Sequence, residues 1–284
     1  MNDKWLPSPR ELIRQERRKK IAQRKYLIAG FSTVVVLAGL ITLVITSPGW
    51  EIVKKTFFDI EYGREVFPTV IKGIFLNIKL TIIGSLCIGA IALLLAILRT
   101  TRSAALTPFR LLATAYVDVF RGIPLLLVIF LIGFGVPALG LKGLTSNVTI
   151  LGTAAVVITY SAYVAEVIRS GILSIHPSQR AAARSLGLTH SQSMRFIVLP
   201  QALRRVVPPL LNDFVALLKD TGLVSILGVI DAIRAAQINA SRTFNYTPYV
   251  VAALLFLCIT IPLTRYTDRA LRNTYARQNS EGAI

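Results

Sequence analysis

Six stretches of the chain are apolar over lengths that match the hydrocarbon core of a membrane, with most polar residues confined to the segments between them. They cover residues 26–46, 73–98, 111–141, 149–169, 206–230 and 244–264. A helix that crosses a ~30 Å core needs about 20 predominantly apolar residues, so each run predicts a spanning helix. The first run carries no charge; it ends at Ser47-Pro48-Gly49 and places Trp50 at an interface. In the third, Asp118 and Arg121 interrupt the pattern, and Gly122 with Pro124 predicts a short helix to Phe120, a kink, and a main span over 124–139. Ser85 with Gly89, and Ala92 with Ala96, set small residues four apart in the second run, a spacing that suits close helix contact. The fifth run holds Pro208-Pro209 near its start and Lys219-Asp220 deep inside. Residues 51–72 mix both charge signs and read as an external loop, with Phe57, Phe58 and Phe67 lying on the membrane surface.

The fold class is therefore an all-α integral membrane protein with about six transmembrane helices, five core and one N-terminal. Hydrophobic residues make up 54% and charged residues 16%, which excludes an ordinary soluble domain. The net charge of +18 suggests nucleic acid until its placement is considered. Arginine-rich clusters fall at 10–25, 99–110, 169–205 and 265–277, all on one side of the six-span arrangement, while the outer segments are mixed or poorly charged. Loops of that kind stay cytoplasmic, so both termini are expected inside and no nucleic acid is required. The expected organisation is a basic, lipid-contacting arm over 1–25 and an extra N-terminal helix with an external loop over 26–69. A transmembrane domain over 70–268 and a cytoplasmic tail over 269–284 complete it. The first run is too long, and lacks the small-residue site, for a cleaved signal peptide, so it reads as an anchor.

Cys87 and Cys258 lie in apolar runs and read as small packing residues, not a disulfide or metal pair. The two histidines, His176 and His190, read as surface helix residues. No metal site, catalytic constellation or cofactor motif is present, and no GxxxxGK[ST] provides an ATP site.

The segment 176–205 is a basic insert between apolar runs. Pro177 suits a first helical turn, Gln179 to Leu186 are helix formers, and Gly187 stands where a left-handed cap is wanted. Thr189 with Gln192 forms a capping box that opens a second helix through Met194 to Val198, expected to stop before Pro200. Ala181, Ala182 and Ala183 leave room for a close neighbour, Leu186 and Leu188 flank the elbow as apolar knobs, and Arg180 and Arg184 share a face. Those arginines can pair with an acidic protein rim or with anionic lipid headgroups.

The order Ala182-Ala183, Gly187, Ile197-Val198-Leu199-Pro200 resembles the coupling loop of ABC-importer permeases. In that family the loop begins Glu-Ala-Ala; here Ala181 stands in place of the glutamate. Pro200-Gln201-Ala202-Leu203-Arg204, Pro208-Pro209 and Leu218-Lys219-Asp220-Thr221 resemble the polar amino acid branch, the histidine, glutamine and glutamate permeases. So do Phe120-Arg121-Gly122-Ile123-Pro124-Leu125-Leu126, Ala162-Tyr163-Val164-Ala165-Glu166 and Arg169-Ser170-Gly171-Ile172. The resemblance runs from about residue 73 to 272. It implies a type I importer transmembrane domain that works with a second permease subunit, identical or paralogous. Two separate ATPase subunits bound at the loop and an extracytoplasmic substrate-binding protein complete the assembly. The alternatives are an ABC permease for another small polar solute and, in a different class, an ion-coupled secondary carrier.

Charges inside the spans are costly unless they face protein or water, which marks Arg121, Glu166, Asp213, Lys219 and Asp220. One reading is internal pairing that fixes packing, Lys219 with Asp220 or Asp213 above all. The other is a substrate pathway: a cation for the α-carboxylate of an amino acid, an anion for its ammonium, and hydroxyls from Tyr160, Ser161 and Tyr163 near Glu166.

Overall fold

The computed structural model describes residues 8–101 and 103–281. Residues 1–7 of the expected arm, Arg102 of the 99–110 cluster, 282–284 of the tail, and the side chains of Arg272 and Arg277 lie outside the described residues. The chain divides into two units, Met1–Thr56 and Phe57–Ile284. In the first, α1 (Pro9–Ile45) opens with Pro9 in its first turn and Ser8 accepting from the Glu11 amide, so the basic arm is helical and continuous with the first apolar run. No described side chain of α1 is buried. The helix α2 (Trp50–Phe57) follows.

The second unit is built on α3 (Ile60–Thr100), which begins well before the expected span and turns most of the expected 51–72 loop into helix. The cause is local and tertiary together. Asp59 caps the helix by accepting from the Tyr62 amide at 3.0 Å. Val66, Val70 and Ile74, spaced four apart, then extend the buried stripe of the span outward. Val70 and Ile74 pack with Ala232, Ala235, Ala236 and Ala252 in a small second core.

α4 (Thr107–Gly122) and α5 (Leu125–Phe130) are separated at Ile123-Pro124, and the pair containing them is bent by 106°. This is the expected break. A π turn over Leu131–Gly135 leads into α6 (Val136–Ala138). α7 (Val148–Leu173), capped by Asn147, is the central helix of the main core. Ala155, Val156, Ala162 and Ala165 on it pack with Ala92 and Ala96 of α3, Val117 of α4 and Ile129 of α5. α8 (Pro177–Ser185) and α9 (His190–Ser193) form the loop, a π turn covers Met194–Val198, and α10 (Leu199–Asp220) ends in a 3-10 segment, Thr221–Leu227. α11 (Ala232–Thr243) and α12 (Thr247–Glu281) complete the fold.

By length and composition, the described residues contain four stretches able to cross a membrane, Pro9–Ile45, Trp50–Thr100, Val148–Leu173 and Thr247–Arg269, and a fifth if the bent pair counts as one. The expected run 206–230 is different: α10 starts before it, carries Arg204, Arg205, Asp213 and Lys219, and gives way to the 3-10 turn after Asp220. Of its buried residues, Ala202, Val206 and Leu217 share one face and belong to the main core. The α7–α10 contact depends on Gly171, where a Cβ would meet Val206 Cγ1 at 2.2 Å. Cys87 and Cys258 are exposed, which corrects the expectation that they pack inside the chain.

Candidate functional site

The loop after α7 is defined by hydrogen bonds that its residue types favour. His176 caps α8 by accepting from the Ser178 amide at 3.2 Å. At the other end, Leu188 N donates to Ala183 O at 3.1 Å and Gly187 N to Arg184 O at 2.9 Å. Those two bonds are a Schellman closure, and Gly187 takes the left-handed backbone it demands, with φ +77°. Two residues later Thr189 and Gln192 satisfy each other's amides reciprocally, as the sequence predicts. The expected stop before Pro200 is overturned. The Leu199 amide bonds five residues back, to Met194 O, and this π turn carries the helix into α10 with Pro200 in its first turn. The Gln201 side chain donates to Ile197 O at 3.0 Å, filling a carbonyl there.

Ala181 and Ala182 are exposed, whereas Ala183 is buried. Leu186 is 79% exposed, a knob on the outside of the elbow; Leu188 is half-buried, as is Ile197, and Pro200 is exposed. Arg180 and Arg184 do share a face, and both line a cavity between α8 and α9, Arg180 half-buried and Arg184 exposed. Arg180 Nη2 donates to Ile172 O at 2.7 Å and Arg205 Nη1 to Ser174 O at 2.7 Å, so two arginines cover the carbonyls that end α7.

Within the helices the marked charges separate into two groups. Glu166 Oε2 accepts from Arg99 Nη1 at 2.6 Å and lies 3.9 Å from Arg121 Nη1, while both its oxygens accept from Arg169. One carboxylate thus meets three guanidinium groups from α3, α4 and α7, and the cluster keeps two positive charges. Tyr163 adds a hydroxyl bond to Arg121 O at 3.3 Å. Arg99, only 10% exposed at its side chain, reads in the sequence as topogenic and not as Glu166's partner.

The second group surrounds a cavity of about 170 Å³ between α3, α7 and α10, bordered by Ser85, Gly89, Tyr160, Asp213 and Leu217. The Tyr160 hydroxyl donates to Asp220 Oδ2 at 2.6 Å. Asp213 presents a buried oxygen, Oδ2, with no partner among the described residues. The expected pairing of Lys219 with Asp213 or Asp220 does not form: Lys219 is exposed and has no ion pair among the described residues, and Asp220 takes a tyrosine hydroxyl instead. Ser161 is also corrected. It is fully buried and its hydroxyl donates to Val157 O within its own helix, so it offers nothing to a solute. Asp118 is exposed and unpaired among the described residues.

Sequence reasoning missed a third polar group. Asn77 and Asp231 are both fully buried; Asn77 Nδ2 donates to Asp231 Oδ2 at 3.0 Å, and its Oδ1 accepts from the Ala232 amide at 3.2 Å. Asp231 also caps α11 through the Arg234 amide, and burial pushes its carboxyl above the usual carboxylate range. A lone asparagine in an apolar run was the available signal. Among the described residues no cluster of potential metal ligands is found.

The model of the family described as "Binding-protein-dependent transport system inner membrane component" matches residues 91–272. The chain is 38% identical over 198 residues to the probable glutamine ABC transporter permease protein GlnM of Bacillus subtilis (strain 168), covering 68% of this chain and 87% of the relative. The L-cystine transport system permease protein TcyB of the same organism is 32% identical over 229 residues, 78% of this chain and 90% of the relative. A solved structure of an amino acid ABC transporter with histidines superposes with a TM-score of 0.68 at 33% identity, covering 76% of this chain and 98% of that one.

Proposed function

The chain belongs to the family of binding-protein-dependent transport system inner membrane components, and on that footing we propose that it is the permease subunit of an ATP-driven importer of polar amino acids. It is a multi-pass membrane protein of the ABC-importer class, and its fold is the type I transmembrane domain. The observation that carries the mechanism is the elbow at Gly187. A Schellman closure and a capping box hold two short helices as one rigid unit directly between α7 and α10. Force applied to that unit is passed to both helices, and α7 and α10 carry the polar groups at the 170 Å³ cavity.

In this reading the arginine clusters face the cytoplasm with both termini, and two ATPase subunits bind the loops of two permease subunits, identical or paralogous. A binding protein delivers the amino acid from outside. Asp213, with Tyr160 and Asp220, receives the ammonium group, while Lys219, free of ion pairs among the described residues, is the cation available to the α-carboxylate. Glu166, with Arg99, Arg121 and Tyr163, acts as a latch that joins α3, α4 and α7. Leu186 is the knob seated in the ATPase. Replacing it tests the assignment: Leu186→Asp leaves the subunit inserted and releases the ATPase during co-purification. Full ATPase recovery with Leu186→Asp contradicts it.

A further inference from the structure

A cavity of about 530 Å³ lies within the loop itself, between α8 and the α9–π segment. Arg180, Arg184, His190 and Ser193 contribute its polar wall; Leu188 and Met194 contribute apolar surface. Apart from the last turn of α7, the walls belong to the loop, outside the apolar spans.

Its charge is one-sided and unsatisfied. No aspartate or glutamate occurs between Glu166 and Asp213, a segment that holds six arginines. The Arg180 guanidinium is anchored through Nη2 to Ile172 O, but its Nε is buried with no partner among the described residues. The Arg184 side chain makes no hydrogen bond or ion pair among the described residues. Ser193, 5% exposed, stands beside them. A buried guanidinium N–H left without an acceptor is costly, and a carboxylate is the acceptor that matches its geometry and charge.

We infer that this cavity receives an acidic side chain of the ATPase subunit, clasped between Arg180 and Arg184, so that the loop is a receptor for its partner as well as a plug in it. The inference rests on the reading of residues 176–205 as the ATPase-docking loop. Charge complementarity selects the occupant: a loop with no acidic residue of its own offers these guanidinium groups no carboxylate. The apolar half of the cavity admits the neighbouring hydrophobic side chain of the same ATPase segment. The resulting rule is that a fitting ATPase carries an aspartate or glutamate next to an apolar residue at the edge of its docking groove, and one with a basic residue there is rejected.

The test uses the complete complex in lipid nanodiscs. Arg184, unlike Arg180, supports nothing inside the chain, so Arg184→Glu isolates the contact. ATPase affinity should fall by roughly tenfold with this variant, to the same extent in phosphatidylcholine discs and in discs with anionic lipid, and the deficit should shrink at high salt. Arg184→Lys keeps the charge and adds an amine; a zero-length carbodiimide should join it to an ATPase carboxylate, read by mass spectrometry of the linked peptide. Wild-type affinity with Arg184→Glu and no linked ATPase peptide with Arg184→Lys overturn the inference. A deficit confined to anionic discs overturns it in favour of a lipid headgroup. Leu186→Asp, measured in parallel, separates the two levels: if it releases the ATPase while Arg184→Glu does not, docking stands and the acidic clasp falls. Normal ATPase affinity in both variants removes the docking reading itself.

Discussion

Arg99, in the last turn of α3, donates from Nη1 to Glu166 Oε2 of α7 at 2.6 Å, with the two side chains only 10% and 20% exposed. Removing one partner of a largely buried pair leaves an uncompensated charge, which costs more than the pair itself contributes. Glu166→Gln keeps the volume but leaves three guanidinium groups facing a neutral amide. The expected loss is about 3 kcal/mol of subunit stability, read as a lower melting temperature of the purified complex. An unchanged melting temperature removes the latch.

Asp213 should behave in the opposite way. Its Oδ2 is buried and unpaired, so the charge is a burden to the empty subunit and of use only when a cation arrives. Asp213→Asn is expected to leave the melting temperature equal or higher while amino acid uptake falls by roughly tenfold or more, the scale of one lost charge-assisted contact. Normal uptake by this variant removes Asp213 from the pathway.

A Cβ added at Gly187 would meet only open space, so the left-handed backbone alone restricts the position. Gly187→Val should cost about 1–2 kcal/mol locally, too little to prevent insertion but enough to tilt the elbow. Gly187→Asn, which tolerates that backbone, should retain most of the activity. The measurement is ATP hydrolysis stimulated by the loaded binding protein; equal rates in the valine and asparagine variants contradict the role given to the elbow.

Orientation is read by labelling. Lys142, between α6 and α7, and Ser191, in α9, are both exposed. In a background free of the exposed Cys87 and Cys258, Lys142→Cys should react with an impermeant thiol reagent in intact cells and Ser191→Cys only after lysis. The reverse pattern inverts the topology.

The elbow was legible because its rules are local: a glycine after a helix and Thr189 three residues before Gln192 determine their own hydrogen bonds. The break at Pro124 follows for the same reason. The extension of α3 back to Ile60 was less visible, since the pattern of Val66, Val70 and Ile74 is hidden among charges that face away from the core. Helix α10 departs from expectation at both ends, at Pro200 because a π turn accommodates it and after Asp220 because the chain changes to 3-10 geometry. Pairings such as Arg99 with Glu166 and Tyr160 with Asp220 join residues 67 and 60 positions apart, and no spacing rule announces them. For the same reason the sequence pairs Lys219 with its neighbours, whereas in the fold it is exposed and without an ion pair among the described residues.

The most direct measurement is uptake of radiolabelled polar amino acids by proteoliposomes holding this subunit, its partner permease and the ATPase, with the binding protein outside. An ATP-driven importer accumulates substrate only with ATP at the loop face and the binding protein present, and continues to do so when ionophores collapse proton and sodium gradients. Uptake driven by either gradient in vesicles without the ATPase would contradict it.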